Sequence, residues 1–259
     1  MTPRRRRAGG TAEIRTDINP LWFLGATVRS ALHYPGNAVG LGVRAVINQT
    51  RFTAVQALPL LIFVAALVSL PMSFGAMPFL ADLGVAGTVE GPLLSILVGE
   101  LGPAVAALLV VARSGTAVAA ELAATRVTGE REALEALGVD TLQYYVLPRI
   151  VAFAASVALL AVFFDLVVVG TMMIGHAQQG LEIPFQSVIR QALTGGDILF
   201  ILGKAVLFGV GIAVLSAMEG LEAGDSPVAI PIAVSRGTVQ SFLWVFVVTA
   251  LVAGFRYLG

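Results

Sequence analysis

The chain has 259 residues and a formal net charge of zero; 57% of its residues are hydrophobic and only 12% are charged. A soluble domain usually carries about 25% charged residues, so this composition excludes an ordinary soluble enzyme and predicts an integral membrane protein. The absence of cysteine excludes disulfides, thiolate metal sites and cysteine nucleophiles. The neutral charge gives no reason to expect a nucleic-acid partner, and the distant pair His33 and His176 predicts no metal site.

The region before the first apolar segment is basic and then amphipathic. Residues 1–18 include the run Arg4–Arg7 and predict a disordered cytosolic arm held near anionic lipid headgroups. Residues 19–50 mix apolar side chains with arginines and contain no uncharged run of the about 20 residues that spanning requires. This pattern predicts an amphipathic helix in the membrane interface, with Trp22 at headgroup level.

Five later segments are apolar enough to cross a bilayer. They are predicted at about 54–74, 92–124, 150–174, 198–218 and 238–255. Three prolines in and just beyond the first segment, Pro59, Pro71 and Pro78, predict kinks or a broken outer end. Glycine and alanine crowd the second segment, and small residues let helix backbones approach closely. We therefore expect the second helix at the centre of a bundle or at a subunit interface.

The distribution of basic residues predicts the orientation. Eight of the 16 lysines and arginines precede the first span, and five more fall on the same side: Arg113, Arg126, Arg131, Arg149 and Arg236. Basic residues favour the cytosolic side. We therefore expect the N-terminus and the polar segment 126–148 in the cytosol, and the C-terminus on the far side.

Charged residues within the predicted spans are the first candidates for function, because a charge in lipid is costly and must face protein or water. Glu100 is predicted to line a cavity that meets a polar headgroup, with a packing ion pair as the alternative. Arg113 and Glu121 share a broad polar stripe with it at the regular helical rotation of about 100° per residue. Residue counting places Asp165 and Lys204 at similar depth, which predicts a structural ion pair; a proton or substrate role is the alternative.

The segment 126–148 carries the most specific pattern. Thr128 suits a helix N-cap and Gly138 a helix stop, so a short surface helix is predicted between them, and Asp140 with Gln143 matches a capping box for the next helix. The predicted helix and its stop combine a small apolar surface with a charged rim, formed by Glu130, Arg131, Glu132, Ala133, Leu134, Glu135, Leu137 and Gly138. A solvated loop helix would not need exposed leucines, so the pattern favours docking on a partner.

This segment resembles the EAA loop of ABC-transporter permeases, in which a short cytosolic helix docks into a cleft on the ATPase. The chain also carries the motifs Gly99-Glu100-Leu101-Gly102-Pro103, Ala112-Arg113-Ser114-Gly115, Ala120-Glu121-Leu122, Thr125-Arg126-Val127-Thr128 and Glu132-Ala133-Leu134-Glu135-Ala136-Leu137-Gly138-Val139-Asp140. With these motifs it resembles the MlaE/YrbE permease family over roughly residues 35–258. The most specific block extends from Glu100 to Pro148. One departure is Gly99, where many relatives carry arginine.

The resemblance implies that residues 19–259 form an all-α permease of an ABC system that moves phospholipids between bacterial membranes. It implies a location in the bacterial inner membrane, a lipid site at the centre of a permease homodimer, two cytosolic ATPase subunits and an MCE-domain protein on the periplasmic side. The chain contains no phosphate-binding loop or catalytic motif, so we expect no enzyme activity and no cofactor in it, with ATP and Mg bound by the ATPase.

Two other classes of function remain open at this point. One is an ion- or proton-coupled secondary carrier that uses Glu100, Asp165 and Lys204. The other is a structural membrane anchor for an envelope complex. A carrier needs no ATPase, and an anchor needs no bound lipid, so both differ from a permease in what they bind.

Overall fold

A computed structural model describes residues 20–33, 46–179, 189 and 195–258, and within this part of the chain every element is a helix. The helices are α1 (Pro20–His33), α2 (Val46–Asp82), α3 (Ala86–Val127), α4 (Glu130–Ala136), α5 (Leu142–Gln178), α6 (Gly195–Leu221) and α7 (Ala229–Leu258). Five of them, α2, α3, α5, α6 and α7, are long and apolar enough to cross a membrane. The predicted all-α membrane fold with five spans is therefore confirmed. We call the end of each span that is distant from α4 its outer end.

Each span is longer than its apolar core suggested. α2 already begins at Val46, so residues 46–50 belong to it and not to the predicted interfacial helix. α3 begins at Ala86 rather than near residue 92. Charged and polar residues set the predicted limits, whereas the helices continue beyond the apolar core. The predicted arm, residues 1–18, lies outside the described residues.

α1 has one buried and one exposed side. Phe23 and Thr27, one turn apart, are buried, and Phe23 joins the main hydrophobic core. Trp22 is largely exposed. The helix packs against the beginning of α5 and against α6. This two-sided character agrees with the amphipathic helix that the sequence predicts.

Wide π-type turns accommodate several of the prolines in the spans. Such turns occur at Met72–Ala76, Leu97–Leu101 and Leu142–Val146, and each ends two residues before a proline, namely Pro78, Pro103 and Pro148. Proline has no N–H, and its ring clashes with the carbonyl four residues earlier, which here lies inside the wide turn. The helix therefore continues without a break. The predicted broken outer end of α2 is wrong, because α2 extends through its prolines to Asp82.

α3 and α6 lie at the centre of the bundle. Of the most apolar stretch in each, 56% is buried, compared with 17% in α7. The two helices meet closely at Gly220 of α6, where an added Cβ would lie 2.8 Å from the carbonyl oxygen of Ala119 of α3. Only glycine permits this approach. The small residues of the second predicted span therefore identified its central position correctly.

The arrangement of the spans predicts which surfaces share a side of the membrane. Because α5 separates Glu132 from Gln178, single cysteines at these two exposed positions of the cysteine-free chain should react with an impermeant thiol reagent from opposite sides. A cysteine at Thr88, near the outer end of α3, is the matched control and should react from the same side as Gln178. Reaction of Glu132 and Gln178 from one side would contradict five spans.

Candidate functional site

A buried ion pair joins α3 to α6 within the apolar part of the bundle. The Nζ of Lys204 donates a hydrogen bond to Oε2 of Glu100. Lys204 is only 2% exposed, and its Nζ lies 5.8 Å from the centroid of the Phe208 ring, one turn further along α6. The other carboxylate oxygen of Glu100, Oε1, is buried and finds no hydrogen-bond partner among the described residues. The pair neutralises both charges and leaves one acceptor for a ligand.

The backbone around Glu100 is unusual for a membrane helix. Glu100 lies in the wide turn Leu97–Leu101, between the buried residues Gly99 and Gly102. Pro103 follows, so the turn has the local cause described above. Wide turns of this kind often occur at functional sites.

The structure corrects the predicted partner of Lys204, which is Glu100 and not Asp165. Asp165 of α5 faces another flank of α3, where an added Cβ on Gly102 would lie 2.5 Å from its Oδ1. This oxygen has no hydrogen-bond partner within the described part of the chain. Residue counting gives the depth of a side chain, but it does not give the direction in which that side chain points around the helix. Residues 100 and 102 point about 200° apart on a regular helix, so their partners differ.

The predicted polar stripe of α3 is tied to two neighbouring helices. Arg113 donates to the backbone oxygen of Gln56 at 2.8 Å and to its side-chain Oε1 at 2.7 Å, which links α3 to α2. Glu121 forms an ion pair with Arg149 of α5, with Nη2 and Oε2 2.8 Å apart. Both contacts hold helices together. They support the packing alternative for Arg113 and Glu121 over a role in a ligand site.

The two ends of α4 are set by glycines in the left-handed region, Gly129 with φ 74° and Gly138 with φ 75°. At the C-terminal end, the N–H of Val139 bonds to the carbonyl of Leu134 at 3.0 Å, as in a Schellman motif. The predicted stop at Gly138 is confirmed. Thr128 is not the predicted N-cap, because its hydroxyl donates back into α3.

The Asp140 half of the predicted capping box at the beginning of α5 is confirmed. The Oδ1 of Asp140 accepts a hydrogen bond from the backbone N–H of Leu142 at 2.9 Å. The wide turn Leu142–Val146 follows at once. The short segment between Gly138 and Leu142 therefore has a fixed shape, which determines where α4 stands relative to α5.

Arginine side chains fasten α4 to the end of α6. Arg131 donates to the carbonyl of Leu221 at 3.0 Å, and Arg126 donates to the same oxygen at 3.1 Å. Cations at a helix C-terminus are favourable because the last carbonyls have no partner within the helix. Arg131 also donates to Glu135 at 2.9 Å, and this hydrogen bond lowers the pKa of Glu135. The hydroxyl of Tyr145 of α5 donates to Glu130 at 2.8 Å, which provides a second attachment.

The exposed surface of α4 differs from the predicted surface in one residue, Leu134. Leu137 is 79% exposed, and Glu132, Ala133 and Ala136 are exposed beside it. Leu134 instead turns inward and packs against the main core. The sequence predicted both leucines on the docking surface, because a helix of two turns gives too little periodicity to tell its two sides apart.

A second buried ion pair was missed in the sequence. Oε1 of Glu90 in α3 lies 3.0 Å from Nε2 of His176 in α5. Both side chains are buried, at 1% and 7% exposure. Both residues fall outside the predicted spans, because the apolar core of the second span begins after Glu90 and that of the third ends before His176. The two residues are buried because both helices continue beyond their apolar cores. Hydropathy alone does not show this continuation.

Five apolar spans, with a short helix fixed outside the bundle, define a polytopic membrane protein. The chain belongs to the MlaE permease family, because the model of that family, described as "Permease MlaE", matches residues 46–255. Membership makes it a multi-pass transport subunit rather than an enzyme.

Several relatives are similar over most of their length. A probable ABC transporter permease protein of Rickettsia prowazekii is 29% identical over 213 residues, covering 80% of this chain and 81% of the relative. The intermembrane phospholipid transport system permease protein MlaE of Haemophilus influenzae is 28% identical over 216 residues, covering 80% and 82%. The chloroplastic protein TRIGALACTOSYLDIACYLGLYCEROL 1 of Arabidopsis thaliana is 23% identical, covering 83% of this chain and 62% of the relative.

The observed pairing predicts which double substitution restores stability. Lys204→Gln leaves Glu100 buried without a counter-charge and should destabilise the protein by about 3–5 kcal/mol, the usual cost of breaking a buried pair. Adding Glu100→Gln should recover part of the folded yield, measured by monodispersity after detergent extraction. Adding Asp165→Asn instead is the matched control and should recover none. Equal recovery by both second changes would contradict the Glu100–Lys204 pair.

Proposed function

We propose that this chain is the permease subunit of an ABC transporter that moves phospholipids between bacterial membranes. The observation that carries the proposal is the position of α4. This helix presents the exposed Leu137 to a partner while Arg131 binds it to the last carbonyl of α6, the helix that contains Lys204. Family membership and the names of the relatives support the same function.

The exposed leucine beside α4 gives the docking of an ATPase an energetic basis. Burying Leu137 in a cleft contributes about 1.5–3 kcal/mol. The exposed acids Glu130 and Glu132 at its rim would mainly select and orient the partner, because charges at the rim of an interface affect association rates and specificity more than affinity. The attachments of Arg131 and Tyr145 hold α4 rigidly to the bundle. A rigid attachment is what coupling requires.

Movement of the docked ATPase would reach the membrane through α6. Leu221, which accepts from Arg131, and Lys204 are 17 residues apart, or about 26 Å along a helix. A shift of α4 would therefore pull on the inner end of the helix whose lysine holds Glu100. The Glu100–Lys204 pair is the element that such a shift would tighten or separate.

The lipid would bind where Glu100 and Lys204 meet. A phospholipid brings a phosphate, which attracts the ammonium of Lys204, and hydrogen-bond donors in its headgroup, which suit the unpaired Oε1 of Glu100. While the pair is closed, each charge is compensated by the other. A bound headgroup would compensate these two charges in place of the ion pair. The lipid-bound state and the closed pair are therefore alternative states.

The full assembly that we infer contains a second copy of this chain, two cytosolic ATPase subunits and a periplasmic MCE-domain protein. The lipid site lies at the centre of the permease dimer in the inner membrane. The excess of basic residues favours a cytosolic N-terminus and a periplasmic C-terminus. ATP and Mg bind to the ATPase and not to this chain.

The coupling role predicts the effect of one exposed leucine. Leu137→Asp should release the ATPase during co-purification while the permease remains folded, because the leucine is exposed and supports no core. Leu83→Asp, at an exposed position beyond the outer end of α2, is the matched control and should retain the ATPase. Leu134→Asp should instead reduce folding, since this side chain packs inward. Full retention of the ATPase by Leu137→Asp would disprove docking on α4.

The lipid site predicts a change in bound lipid. Glu100→Gln with Lys204→Gln should assemble with the ATPase but retain at least several-fold less phospholipid, measured by mass spectrometry of the purified complex, because both headgroup contacts are lost. Asp165→Asn, another acid within a span, is the control and should retain the wild-type amount. Loss of the wild-type lipid on ATP addition would separate a transporter from a passive anchor. Wild-type lipid content in the double variant would show that the pair serves packing and does not bind the lipid.

A further inference from the structure

The outer ends of α3 and α5 meet at a titratable pair that the proposed lipid site does not include. Glu90 lies ten residues before Glu100, about 15 Å along α3. Its partner, His176, is close to the end of α5. Both side chains are almost fully buried, and a buried charge persists only where it has a partner.

The hydrogen bonds of the imidazole fix its protonation. The Nδ1 of His176 lies 3.2 Å from the backbone oxygen of Met172. A carbonyl oxygen can only accept, so Nδ1 carries a hydrogen and donates. In a neutral imidazole the other nitrogen, Nε2, then has no hydrogen and can only accept. This is the nitrogen that faces Glu90 at 3.0 Å.

An ionised carboxylate opposite such a nitrogen would place two acceptors 3.0 Å apart with no hydrogen between them. The contact is favourable only with one proton in the pair, either as imidazolium with carboxylate or as imidazole with carboxylic acid. Within the described residues, Oε1 of Glu90 has no separate hydrogen-bond partner, and Nε2 of His176 lies 3.0 Å from it. The proton is therefore required by the geometry of this contact.

On α2, the described residue beside the pair is neutral. α2 contributes Ser73, a neutral hydroxyl that donates to the carbonyl of Thr171 and occupies the space beside Gly175. The described acids near the outer ends of α2 and α6 are Asp82 and Asp197.

We propose that Glu90 and His176 form a proton-binding site, and that the one proton they share holds the outer ends of α3 and α5 together. Release of the proton leaves a carboxylate and a nitrogen lone pair facing each other in a buried contact. The two helix ends then separate. Because α3 also carries Glu100, the outer side of the bundle would respond to the pH of the compartment it faces.

Conservative substitutions separate this proposal from a plain packing contact. In Glu90→Gln the amide N–H donates to neutral Nε2, so the contact no longer needs the proton. In His176→Gln the new amide donates to the Glu90 carboxylate with the same result. Both variants keep the side chains close in size, and both remove the dependence on pH by independent routes.

The chain allows a clean distance measurement, because it has no cysteine and only one other histidine. Spin labels on Thr88→Cys and Ala177→Cys, both at exposed positions, report the separation of the outer ends of α3 and α5. The full-length protein is reconstituted in lipid nanodiscs, with labelled chains diluted by unlabelled ones so that distances within one chain dominate. His33→Gln is present throughout, so that His176 is the only histidine.

With Glu90 and His176 intact, we expect a short distance at neutral pH and a shift to longer distances as the pH rises. Glu90→Gln and His176→Gln should each keep the short distance at every pH. Asp165→Asn is the matched control for loss of another acid within a span and should shift like the wild type. An unchanged distance across pH in the unsubstituted pair, or the same shift in both glutamine variants, overturns the proposal. Neither result depends on lipid binding or on the ATPase.

Discussion

The arrangement of the bundle depends on the cost of placing charge in lipid. Lys204 is almost completely buried in the middle of α6, and an unpaired ammonium there would cost several kcal/mol or more. The protein meets this constraint with Glu100 of α3, so the pair fixes how the two central helices face each other. α5 packs against both of these helices, α2 packs mainly against α5, and α7 packs against α3 and α6. The residues that we propose to bind the lipid are thus also those on which the packing relies.

Charge also organises the side of the protein where α4 lies, although by a different principle. There the arginines bind backbone oxygens and carboxylates at the ends of helices, where unpaired carbonyls are available. Leu221 accepts from both Arg126 and Arg131, so one carbonyl joins α3, α4 and α6. Arg149 ties α5 to Glu121 of α3 in the same region. The short helix is therefore a rigid extension of the bundle and not a mobile loop.

The sequence predicted the number and order of the membrane helices because hydropathy depends only on local composition. It also predicted the end of α4, because Gly138 is required where the backbone adopts a positive φ. It did not predict the partners of buried charges. Which of Glu100 or Asp165 meets Lys204 depends on the rotation of each helix about its axis, and the wide turns alter that rotation. Glu90 and His176 were missed for a related reason, since hydropathy marks where a helix is apolar and not where it ends.

The wide turns of α3 have a consequence for how this helix can vary. A turn with one additional residue rotates everything beyond it by roughly 100° relative to an uninterrupted helix. α3 has two such turns, at Leu97–Leu101 and Val111–Gly115, so it behaves as three shorter helices in series, each with its own inward side. The outer part of α3 directs Glu90 towards His176 of α5. The inner part directs Glu121 towards Arg149, which also belongs to α5. Loss or gain of a single residue within a wide turn would reorient one part relative to the others and exchange their partners, without the replacement of any side chain.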